Sequence, residues 1–409
     1  MAAVARRRFA VPAVGHADDY WVAMTDDGEP RAAMVAASGP YETTVPARLA
    51  DLVVDLPADL AADAQDAAAE LARFDGHARS RLGGDSPALA PVRAALLRAE
   101  AAASSRIADL AADARQLALA ELGQATAYGV AILADVRTTE AALRLDHLDE
   151  EAVLTLHREL VVGARLGPPE HAGRYRDRLA WVGSSTVTPR GAAYVAPKSP
   201  LVPAGMRDLV AFVRRDDLDG VVQAAIAHAQ LATIHPFAEG DGRTGRALVQ
   251  ALLRTRGLTS STTAPVSAGL LVGSTTYTAA LDAFRAGDAR PVVERFGEAC
   301  RFAARAGTDL VDRLAEQLDE GDQALAGAQV RPRAEARWVL PHLVAQPVVD
   351  GRHLEERFAL SAPTAQHALA QLVDAGLLTE RTGLKRNRVW QHDGILAVLD
   401  GFAAGLARG

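Results

Sequence analysis

The stretch HPFAEGDGRTGR, residues 235–246, combines residue types that suit phosphate chemistry. Gly240 and Gly242 flank a single residue, so the backbone there can turn tightly and expose N–H groups that no Cβ shields. We expect these N–H groups to bind an anion, because the chain from Thr244 onward starts a helix whose N-terminus carries a partial positive charge. Phosphate is the anion that such a turn favours.

Charged side chains on both sides of this turn indicate a polyphosphate. Arg243 and Arg246 are three residues apart, so on a helix they share a face and offer two planar guanidinium groups to phosphate oxygens. Glu239 precedes the turn, and a carboxylate beside phosphates is best explained as a ligand of Mg²⁺. The stretch therefore predicts a site for Mg-ATP or a similar nucleotide.

His235 opens the stretch and can supply a base. An imidazole has an ordinary pKa of about 6.5, so at neutral pH its free nitrogen can take the proton of a hydroxyl that attacks phosphorus. Phe237 departs from the polar character of the loop, and we expect its ring to anchor the loop in the core and hold the imidazole still. Each of these residues has an ordinary structural explanation when it stands alone. Their combination within one short stretch favours a site.

The elements that must position this stretch are predicted to be helices. Ala, Leu, Asp, Glu and Arg recur at helical spacing from about Pro57 to Leu166. LDGVVQAAIAHAQLATI predicts a helix that ends at His235, because the residue before a proline is pushed out of the helical region. TGRALVQALLRTRG predicts a second helix, ended by Gly257, and further helix is expected to about Ala326. The loop between the first two helices carries the unusual residues.

Two other segments break the helical pattern. WVGSSTVTPRGAAYVAPKSP, residues 181–200, contains Gly, Pro, Ser and Thr around two β-favouring runs, which predicts a hairpin flap on a helical body. Towards the C-terminus, three predicted helices precede the basic segment TERTGLKRNRVW, which is the order of a winged helix-turn-helix. Ser361 is the expected N-cap of the third helix, and basic residues lie around the predicted hairpin: Arg381, Lys385, Arg386 and Arg388.

The stretch HPFAEGDGRTGR closely resembles the HPFx(D/E)GNGRxxR signature of Fic-domain proteins. Position by position, the resemblance implies His235 as the base that activates a target hydroxyl and Glu239 as the magnesium ligand. It implies Gly240 and Gly242 as part of the anion hole and the two arginines as contacts to the β- and γ-phosphates. The expected nucleotide site therefore comprises Phe237, Gly240, Asp241, Gly242, Arg243 and Arg246, together with Tyr277, which resembles a position that the family uses near the nucleotide base.

Further similarity surrounds the motif. GRYRDRLAWVG resembles the stretch before the family's flap, and AAYVAPKSP resembles the flap itself. In the family the flap adds to a strand of the target protein, so the resemblance implies that the target is positioned by backbone pairing with Tyr194, Val195 and Ala196.

Asp241 departs from the family, which usually has Asn at this position. An amide can donate a hydrogen bond to a phosphate oxygen, whereas a carboxylate about 4 Å from one like charge costs roughly 4 kcal/mol at an effective dielectric constant of about 20. We therefore predict that the Asp241 carboxylate faces the metal or the loop backbone.

A second departure lies upstream, where EAAASSRIADLAADARQLALAEL resembles the inhibitory helix of family members that carry (S/T)xxxE(G/N). In those proteins the glutamate pairs with the second arginine of the motif and keeps ATP from binding productively. Here Ser104 and Ser105 lie where the motif starts, Ala108 stands at the glutamate position and Asp109 follows it. Alanine cannot pair with Arg246, and on a helix Asp109 would be offset by about 100°. We expect the chain to act without an activating mutation.

The bulk composition describes an ordered protein of several domains. At 409 residues the chain is too long for one ordinary domain, and 49% hydrophobic with 23% charged residues is typical of a globular protein. The net charge of −7 gives no general attraction to nucleic acid. The single cysteine, Cys300, excludes an intramolecular disulfide and is expected to be a buried thiol. Without a membrane-length apolar run or a signal-peptide pattern, a cytoplasmic location is expected.

We therefore predict a mainly α fold: a Fic helical core with a small β-hairpin flap, plus a C-terminal winged helix-turn-helix domain. The predicted division is an N-terminal helical region with an altered inhibitory helix (1–115), the catalytic core (116–330) and the winged helix (331–409).

Two functions are compatible with these features. The first is a protein adenylyltransferase that moves AMP from Mg-ATP to a Ser, Thr or Tyr hydroxyl of a target protein or of itself. The second is a nucleotide-sensing DNA-binding regulator with a weakened Fic site. Its wing would bind phosphates through Arg386 and Arg388, and its third helix would reach base edges through Gln366, His367 and Gln371. Such modules also dock proteins, and the sequence leaves the target, the nucleotide base and the oligomeric state open.

Overall fold

A computed structural model describes residues 8–23, 31–84, 86–124, 126–183, 185, 187–383 and 388–406. Lys385 and Arg386, two of the basic residues expected around the C-terminal hairpin, lie outside these ranges. The chain divides into two compact units, each assembled from three stretches. Unit 1 comprises Met1–Asp66, Ala141–Thr255 and Thr275–Gly297, and unit 2 comprises Ala67–Glu140, Arg256–Ser274 and Glu298–Gly409. The division at residues 115 and 330 stays a prediction.

The described residues form mainly helices with small antiparallel sheets, as the sequence predicted. In chain order the elements are β1 (Gly15–Trp21), α1 (Arg31–Ala37), β2 (Gly39–Val45), α2 (Ala58–Leu82), α3 (Leu89–Ile107), α4 (Ala114–Glu121), α5 (Ala127–Ala142), α6 (Glu150–Ala164), β3 (Trp181–Val182), β4 (Tyr194–Val195), α7 (Val202–Val213), α8 (Gly220–Ile234), α9 (Asp241–Thr255), α10 (Val266–Val272), α11 (Ser274–Arg285), α12 (Arg290–Gly327), α13 (Glu335–Ala345), β5 (Val348–Asp350), α14 (Gly351–Phe358), α15 (Ala362–Asp374), β6 (Thr379–Glu380), β7 (Val389–Gln391) and α16 (Asp393–Gly405).

Helix α8 is the buried centre of unit 1. Almost every residue of it is buried, because Ala, Val, Ile and Leu occur all round the helix rather than on one face. Asp219 caps its N-terminus and accepts hydrogen bonds from the N–H groups of Val221 and Val222 at 2.9 and 3.2 Å. Helices α7 and α9 pack against α8, and α6 packs against α9. The loop between α8 and α9 is thereby fixed at both ends.

The N-terminal hairpin was not predicted, because residues 1–115 were expected only as a helical region. β1 and β2 pair antiparallel from Gly15 opposite Val45 to Trp21 opposite Gly39. The segment GHADDYW lacks a regular apolar alternation, and much of the strand is exposed. Its pairing depends on the partner strand GPYETTV, which carries the β-favouring residues Tyr, Thr and Val.

Unit 2 contains the helices on which the altered inhibitory segment lies. Helix α3 packs against α10 and α13, and the buried carboxylate of Glu100 joins α3 to α10 by accepting hydrogen bonds from the Ser267 N–H at 2.8 Å and from its hydroxyl at 2.6 Å. Cys300 is buried, as expected.

The C-terminal part of unit 2 has the predicted order of three helices followed by a hairpin. Its three-stranded sheet has the order β5-β7-β6, with both neighbouring pairs antiparallel. Ser361 caps α15, as predicted, through the Thr364 N–H at 3.3 Å. Assignment of this segment as a winged helix stays a prediction.

No helix among the described residues combines the length and the apolar character that crossing a membrane would need.

Candidate active site

His235 ends helix α8 in a strained backbone conformation. Its φ of 49° and ψ of 60° place it in the left-handed region, which a non-glycine residue seldom occupies, and its N–H donates to Leu231 O at 2.8 Å. Pro236 follows and prevents the helix from continuing. The chain therefore leaves the helix sharply at the predicted base, and the side chain of His235 is 27% exposed.

Helix α9 begins at Asp241, three residues earlier than predicted from the sequence. Gly240 makes the turn with a φ of 86°, and a Cβ there would lie 3.0 Å from Leu160 Cδ2. The Thr244 N–H already donates to Gly240 O at 2.9 Å, which closes the first turn of the helix. The predicted start at Thr244 was wrong because Gly242 fits inside this first turn instead of preceding it. Asp241, Gly242 and Arg243 thus form the first turn of the helix, whose N–H groups precede the regular bonds to the residue four positions earlier.

Both arginines of the motif are buried at the start of α9. Arg243 is 6% exposed and Arg246 is 4% exposed. The Arg246 guanidinium lies over the first turn of the helix. An added Cβ on Gly242 would be 3.1 Å from its Nη1. A cationic group therefore lies beside the N–H groups that the sequence predicts to bind phosphate.

Tyr277 contacts the side chain of Arg246. Its hydroxyl is hydrogen-bonded to His228 Nε2 and also interacts with Arg246. Burial lowers the pKa of His228 to about 4, so this histidine is neutral at neutral pH. The ring of Tyr277 is itself buried. Its contact with a nucleotide base stays a prediction.

The carboxylate of Asp241 turns back onto the loop. Its Oδ1 accepts a hydrogen bond from the Phe237 N–H at 3.0 Å, and its Oδ2 lies 3.3 Å from His235 Nε2. Burial raises the pKa of this carboxyl, while the nearby His235 opposes that rise. Asp241 therefore faces the loop backbone, one of the two directions predicted for it, and also approaches the expected base.

Glu239 is the exposed carboxylate of the loop. Its Oε1 is directed towards Gly167, where an added Cβ would lie 3.3 Å from it. Among the described residues, no group of three or more His, Cys, Asp or Glu could enclose a metal ion. A single carboxylate nevertheless fits Mg²⁺, which takes much of its coordination from phosphate oxygens and water. Glu239 is the residue of the loop that could hold it.

His157 of α6 lies under the loop and was missed by the sequence analysis. Its Nε2 is 3.0 Å from Glu239 O, and its Nδ1 accepts a hydrogen bond from the Gly173 N–H at 3.1 Å. Its ring stacks on Phe237 with centroids 3.7 Å apart and an angle of 6°. Phe237 is fully buried, as its predicted anchoring role requires. The only sequence signal for His157 was a polar residue on the apolar face of a helix.

Arg176 was also missed, although it lies in the stretch GRYRDRLAWVG that resembles the family. Its guanidinium donates to His235 O at 2.7 Å, to Arg178 O at 2.7 Å and to Pro197 O at 2.5 Å. Its own N–H donates to Pro236 O at 2.9 Å. One buried side chain thus joins the loop that carries the base to the segment that follows β4.

The flap is a short hairpin of β3 and β4, as predicted. Trp181 pairs with Val195 and Val182 with Tyr194, and the Ala196 N–H donates to Ala180 O at 3.0 Å. This pattern makes Trp181 and Val195 a non-hydrogen-bonded pair, so the N–H and C=O of Val195 point away from β3. Val195 is therefore the flap residue whose backbone groups face outwards.

The other two flap residues expected to bind the target are engaged within the protein. The Tyr194 hydroxyl donates to Thr233 O, and the Arg285 guanidinium lies 3.8 Å from the centre of the Tyr194 ring. Ala196 is fully buried, and its carbonyl accepts a hydrogen bond from Thr43 Oγ1 of β2 at 2.7 Å. The unpredicted N-terminal hairpin thus holds the end of β4.

The altered inhibitory segment lies at the end of α3 in unit 2. Ser104 and Ser105 are buried, and Ser105 Oγ donates to Asp135 at 2.9 Å. The helix ends at Ile107, so Ala108 and Asp109 lie beyond it and are exposed. Asp109 has a φ of 59°. The expected helical offset of Asp109 was therefore wrong, and the residue occupies a left-handed conformation that Gly and Asn favour.

Comparison with known proteins agrees with this geometry. Residues 147–253, which contain the loop and the flap, match the model of the Fic/DOC family. Over 151 residues the chain is 30% identical to protein adenylyltransferase fic-1 of Caenorhabditis elegans, an alignment that covers 36% of this chain and 26% of that protein. The corresponding protein of Caenorhabditis briggsae is 30% identical over 144 residues, covering 34% of this chain and 25% of that one. The chain thus spans about a quarter of the length of these curated relatives.

Among solved structures, a Fic family protein from Desulfovibrio desulfuricans is similar with a TM-score of 0.49 and 21% identity, covering 81% of this chain and 96% of that one. Residues 147–253 thus contain a domain of the Fic/DOC family, and the HPFAEGDGRTGR motif lies within it.

Proposed function

We propose that this chain is a protein adenylyltransferase that transfers AMP from Mg-ATP to a hydroxyl group of a protein. The observation that carries the proposal is the arrangement at the start of α9, where the Arg246 guanidinium lies over Gly242 and the imidazole of His235 lies 3.3 Å from Asp241. The named activity of the relatives in Caenorhabditis supports the same reaction. A protein that only bound phosphate would need no base held in a strained conformation beside the turn.

The proposed reaction is an in-line displacement at the α-phosphorus. A Ser, Thr or Tyr hydroxyl oxygen forms the new bond to phosphorus, and the bond to the oxygen bridging the α- and β-phosphates breaks. Pyrophosphate leaves with that bonding electron pair, and the hydroxyl proton passes to His235. The N–H groups of the first turn and the motif arginines offset the charge on the phosphates.

Magnesium is proposed as the metal that accompanies ATP. Glu239 would hold it, and the ion would neutralise charge on the phosphate oxygens as pyrophosphate leaves. Asp241 is a weaker candidate, because one of its carboxylate oxygens already accepts the Phe237 N–H.

The flap is proposed as the place where the target chain binds. The outward N–H and C=O of Val195 can pair with an extended segment of another protein, as an edge strand does. The Tyr194 backbone pairs with Val182 of β3, and the N–H and C=O of Ala196 are bonded to Ala180 O and Thr43 Oγ1. The backbone pairing is therefore expected at Val195 alone.

Labelling with α-phosphate-labelled ATP tests the enzyme assignment. The purified chain should transfer label to itself or to lysate proteins, and mass spectrometry should find AMP on a hydroxyl-bearing residue. His235→Ala should lower the rate at least about 100-fold, the range for loss of a positioned base, while a fluorescent ATP analogue still binds. His147→Ala, which removes an exposed histidine from the same unit, is the control and should label normally. Equal labelling by His235→Ala would refute the role of the base.

We also propose that the unmodified chain is not self-inhibited, because Ala108 has no carboxylate to pair with an arginine. Asp109→Gly suits the left-handed backbone at that position, so it should leave the labelling rate unchanged. A silent native chain with strong labelling by Asp109→Gly would show that inhibition persists in an altered form.

A second function, a nucleotide-sensing DNA-binding regulator, is favoured only by the element order of residues 335–391. Gln366 and His367 of α15 are exposed, but Gln371 is half-buried and its Oε1 is enclosed. Arg381 pairs with Asp393 at 2.8 Å, and Arg388 lies 3.9 Å from Glu380. These acidic neighbours reduce the charge available to DNA phosphates. Salt-dependent binding to duplex DNA, measured beside labelling by His235→Ala, distinguishes the two functions.

A further inference from the structure

His157 lies directly beneath the part of the loop that carries Glu239 and Gly240. It is 1% exposed on α6. The Gly173 N–H can only donate, so Nδ1 of His157 must be the accepting nitrogen. Nε2 then carries the proton and donates it to Glu239 O, 3.0 Å away. The contacts of this one side chain select a single neutral tautomer.

The same ring lies close to the loop residues on both sides of Glu239. It stacks on Phe237 on one side of Glu239. On the other side, a Cβ on Gly240 would lie 3.8 Å from His157 Cδ2 and 3.9 Å from Nε2. Three parts of the loop, the Phe237 ring, the Glu239 carbonyl and the Gly240 turn, therefore lie close to one imidazole.

We propose that His157 is a positioning residue that fixes the peptide of Glu239, and with it the magnesium ligand and the anion-binding turn, for Mg-ATP. The inference rests on the proposed function, since it concerns how the same site holds its nucleotide. Because His157 is 1% exposed, it would act on a nucleotide only through the loop. It acts through the Glu239 carbonyl, which shares a backbone with the metal-binding carboxylate and precedes the N–H groups of the helix N-terminus. Loss of a partner that orients a metal ligand commonly weakens metal binding by about 10- to 100-fold.

A pair of amide substitutions separates this role from general packing. In His157→Gln the side-chain amide reaches as far as Nε2 and can still donate to Glu239 O. In His157→Asn the shorter amide reaches only as far as Nδ1, so it keeps an acceptor for Gly173 and loses Glu239. Both variants remove the ring and its stack on Phe237. A role in packing alone would give the two variants the same difference in affinity with and without Mg²⁺.

The measurement is the affinity for the fluorescent analogue N-methylanthraniloyl-ATP, titrated at saturating and at limiting Mg²⁺. We expect His157→Asn to bind the Mg²⁺ form at least about tenfold more weakly, and His157→Gln to stay within about threefold of the native chain. With Mg²⁺ chelated, the two variants should differ less. Equal affinities for the two variants, or a difference between them that does not change with Mg²⁺ concentration, would overturn the proposal.

A spectroscopic test on the native chain covers the case in which a variant does not fold. The ¹⁵N chemical shifts of His157 should be those of the tautomer protonated at Nε2, with a slowly exchanging Nε2–H signal that shifts when Mg²⁺ and the analogue are added. A tautomer protonated at Nδ1 would overturn the proposal without any variant. If the native chain shows the expected tautomer but binds no Mg²⁺ nucleotide, the proposed function fails instead, and the two failures are distinguishable.

Discussion

Asp241 governs how the phosphates of a nucleotide meet the loop. Its carboxylate is buried at the N-terminus of α9, with one oxygen on the Phe237 N–H and the other facing His235. A helix N-terminus favours an anion, but here a side chain of the protein supplies one where the phosphates are expected. A bound nucleotide therefore has to share the positive end of α9 with this carboxylate.

Replacing Asp241 by Asn should strengthen nucleotide binding. The amide oxygen can keep the hydrogen bond from the Phe237 N–H, while the amide nitrogen becomes a donor and the repulsion of the phosphates is lost. A carboxylate about 4 Å from one phosphate charge costs roughly 4 kcal/mol at a dielectric constant of about 20. Rearrangement reduces that cost, so we expect Mg-ATP to bind at least about tenfold more tightly. Fluorescence titration of the two proteins measures the change.

Asp219→Asn is the matched control for that experiment. It removes the same charge from unit 1 at the N-cap of α8, where Asn caps as well as Asp. Its affinity for Mg-ATP should equal that of the native chain. Weaker binding by Asp241→Asn than by this control would contradict the repulsion argument.

Among single residues, the sequence predicted those whose chemistry lies within the motif. His235, Glu239 and the two arginines are adjacent in the chain, so their types alone indicated phosphate chemistry. His157 and Arg176 contact the loop from 82 and 59 residues away. Neither has a local pattern that separates it from an ordinary polar residue near a core, and only packing of α6 and the flap segment against the loop brings them there.

At the scale of elements, the flap was predicted as a hairpin but its outward edge was not. Which strand residue faces away from β3 depends on the register, and a shift of one residue would have exposed Tyr194 and Ala196 instead. The hydrogen bond from the Ala196 N–H to Ala180 O fixes that register. β1 and β2 were not predicted, because their sequences show little of the apolar alternation that indicates a strand.

Val195→Pro should weaken pairing with a target strand while leaving the flap intact. Proline removes an N–H that points away from β3, and an outward edge position tolerates that loss. We expect transfer to protein targets to fall at least about tenfold, the effect of roughly one lost hydrogen bond of about 1.4 kcal/mol, with Mg-ATP affinity unchanged. Labelling rates at a fixed target concentration measure it.

Val195→Ala provides the comparison for this variant. It shortens the side chain but keeps the N–H and C=O, so transfer should stay close to that of the native chain. If the alanine variant loses as much activity as the proline variant, the target contacts the side chain of Val195 rather than its backbone.

At the scale of the whole molecule, buried histidines should make the fold sensitive to acid. In unit 1, burial lowers the pKa of both His157 and His228 to about 4. In unit 2, burial lowers the pKa of His342 to about 3, with His353 adding to the shift. The unfolded chain binds protons at these positions at about pH 6.5, whereas the folded chain does not. Stability is therefore fully present above about pH 6.5 and is lost as the pH falls towards 4.

The size of the effect follows from the number of protons that the unfolded chain binds and the folded chain does not. The two histidines of unit 1 change the free energy of unfolding by at most about 3 kcal/mol per pH unit near pH 5, since each proton contributes about 1.4 kcal/mol per unit. The raised pKa of Asp241 acts in the opposite direction, because the folded chain then binds that proton more readily than the unfolded chain. It offsets one proton at most, so acid remains destabilising.

Denaturant unfolding followed at pH 7.5, 6 and 5 should show the free energy of unfolding falling with increasing steepness. His157→Gln, which cannot titrate, should reduce the slope near pH 5 by about 1.4 kcal/mol per pH unit. An unchanged slope in that variant would mean that His157 is already protonated in the folded protein, in conflict with the hydrogen bond that its Nδ1 accepts from Gly173.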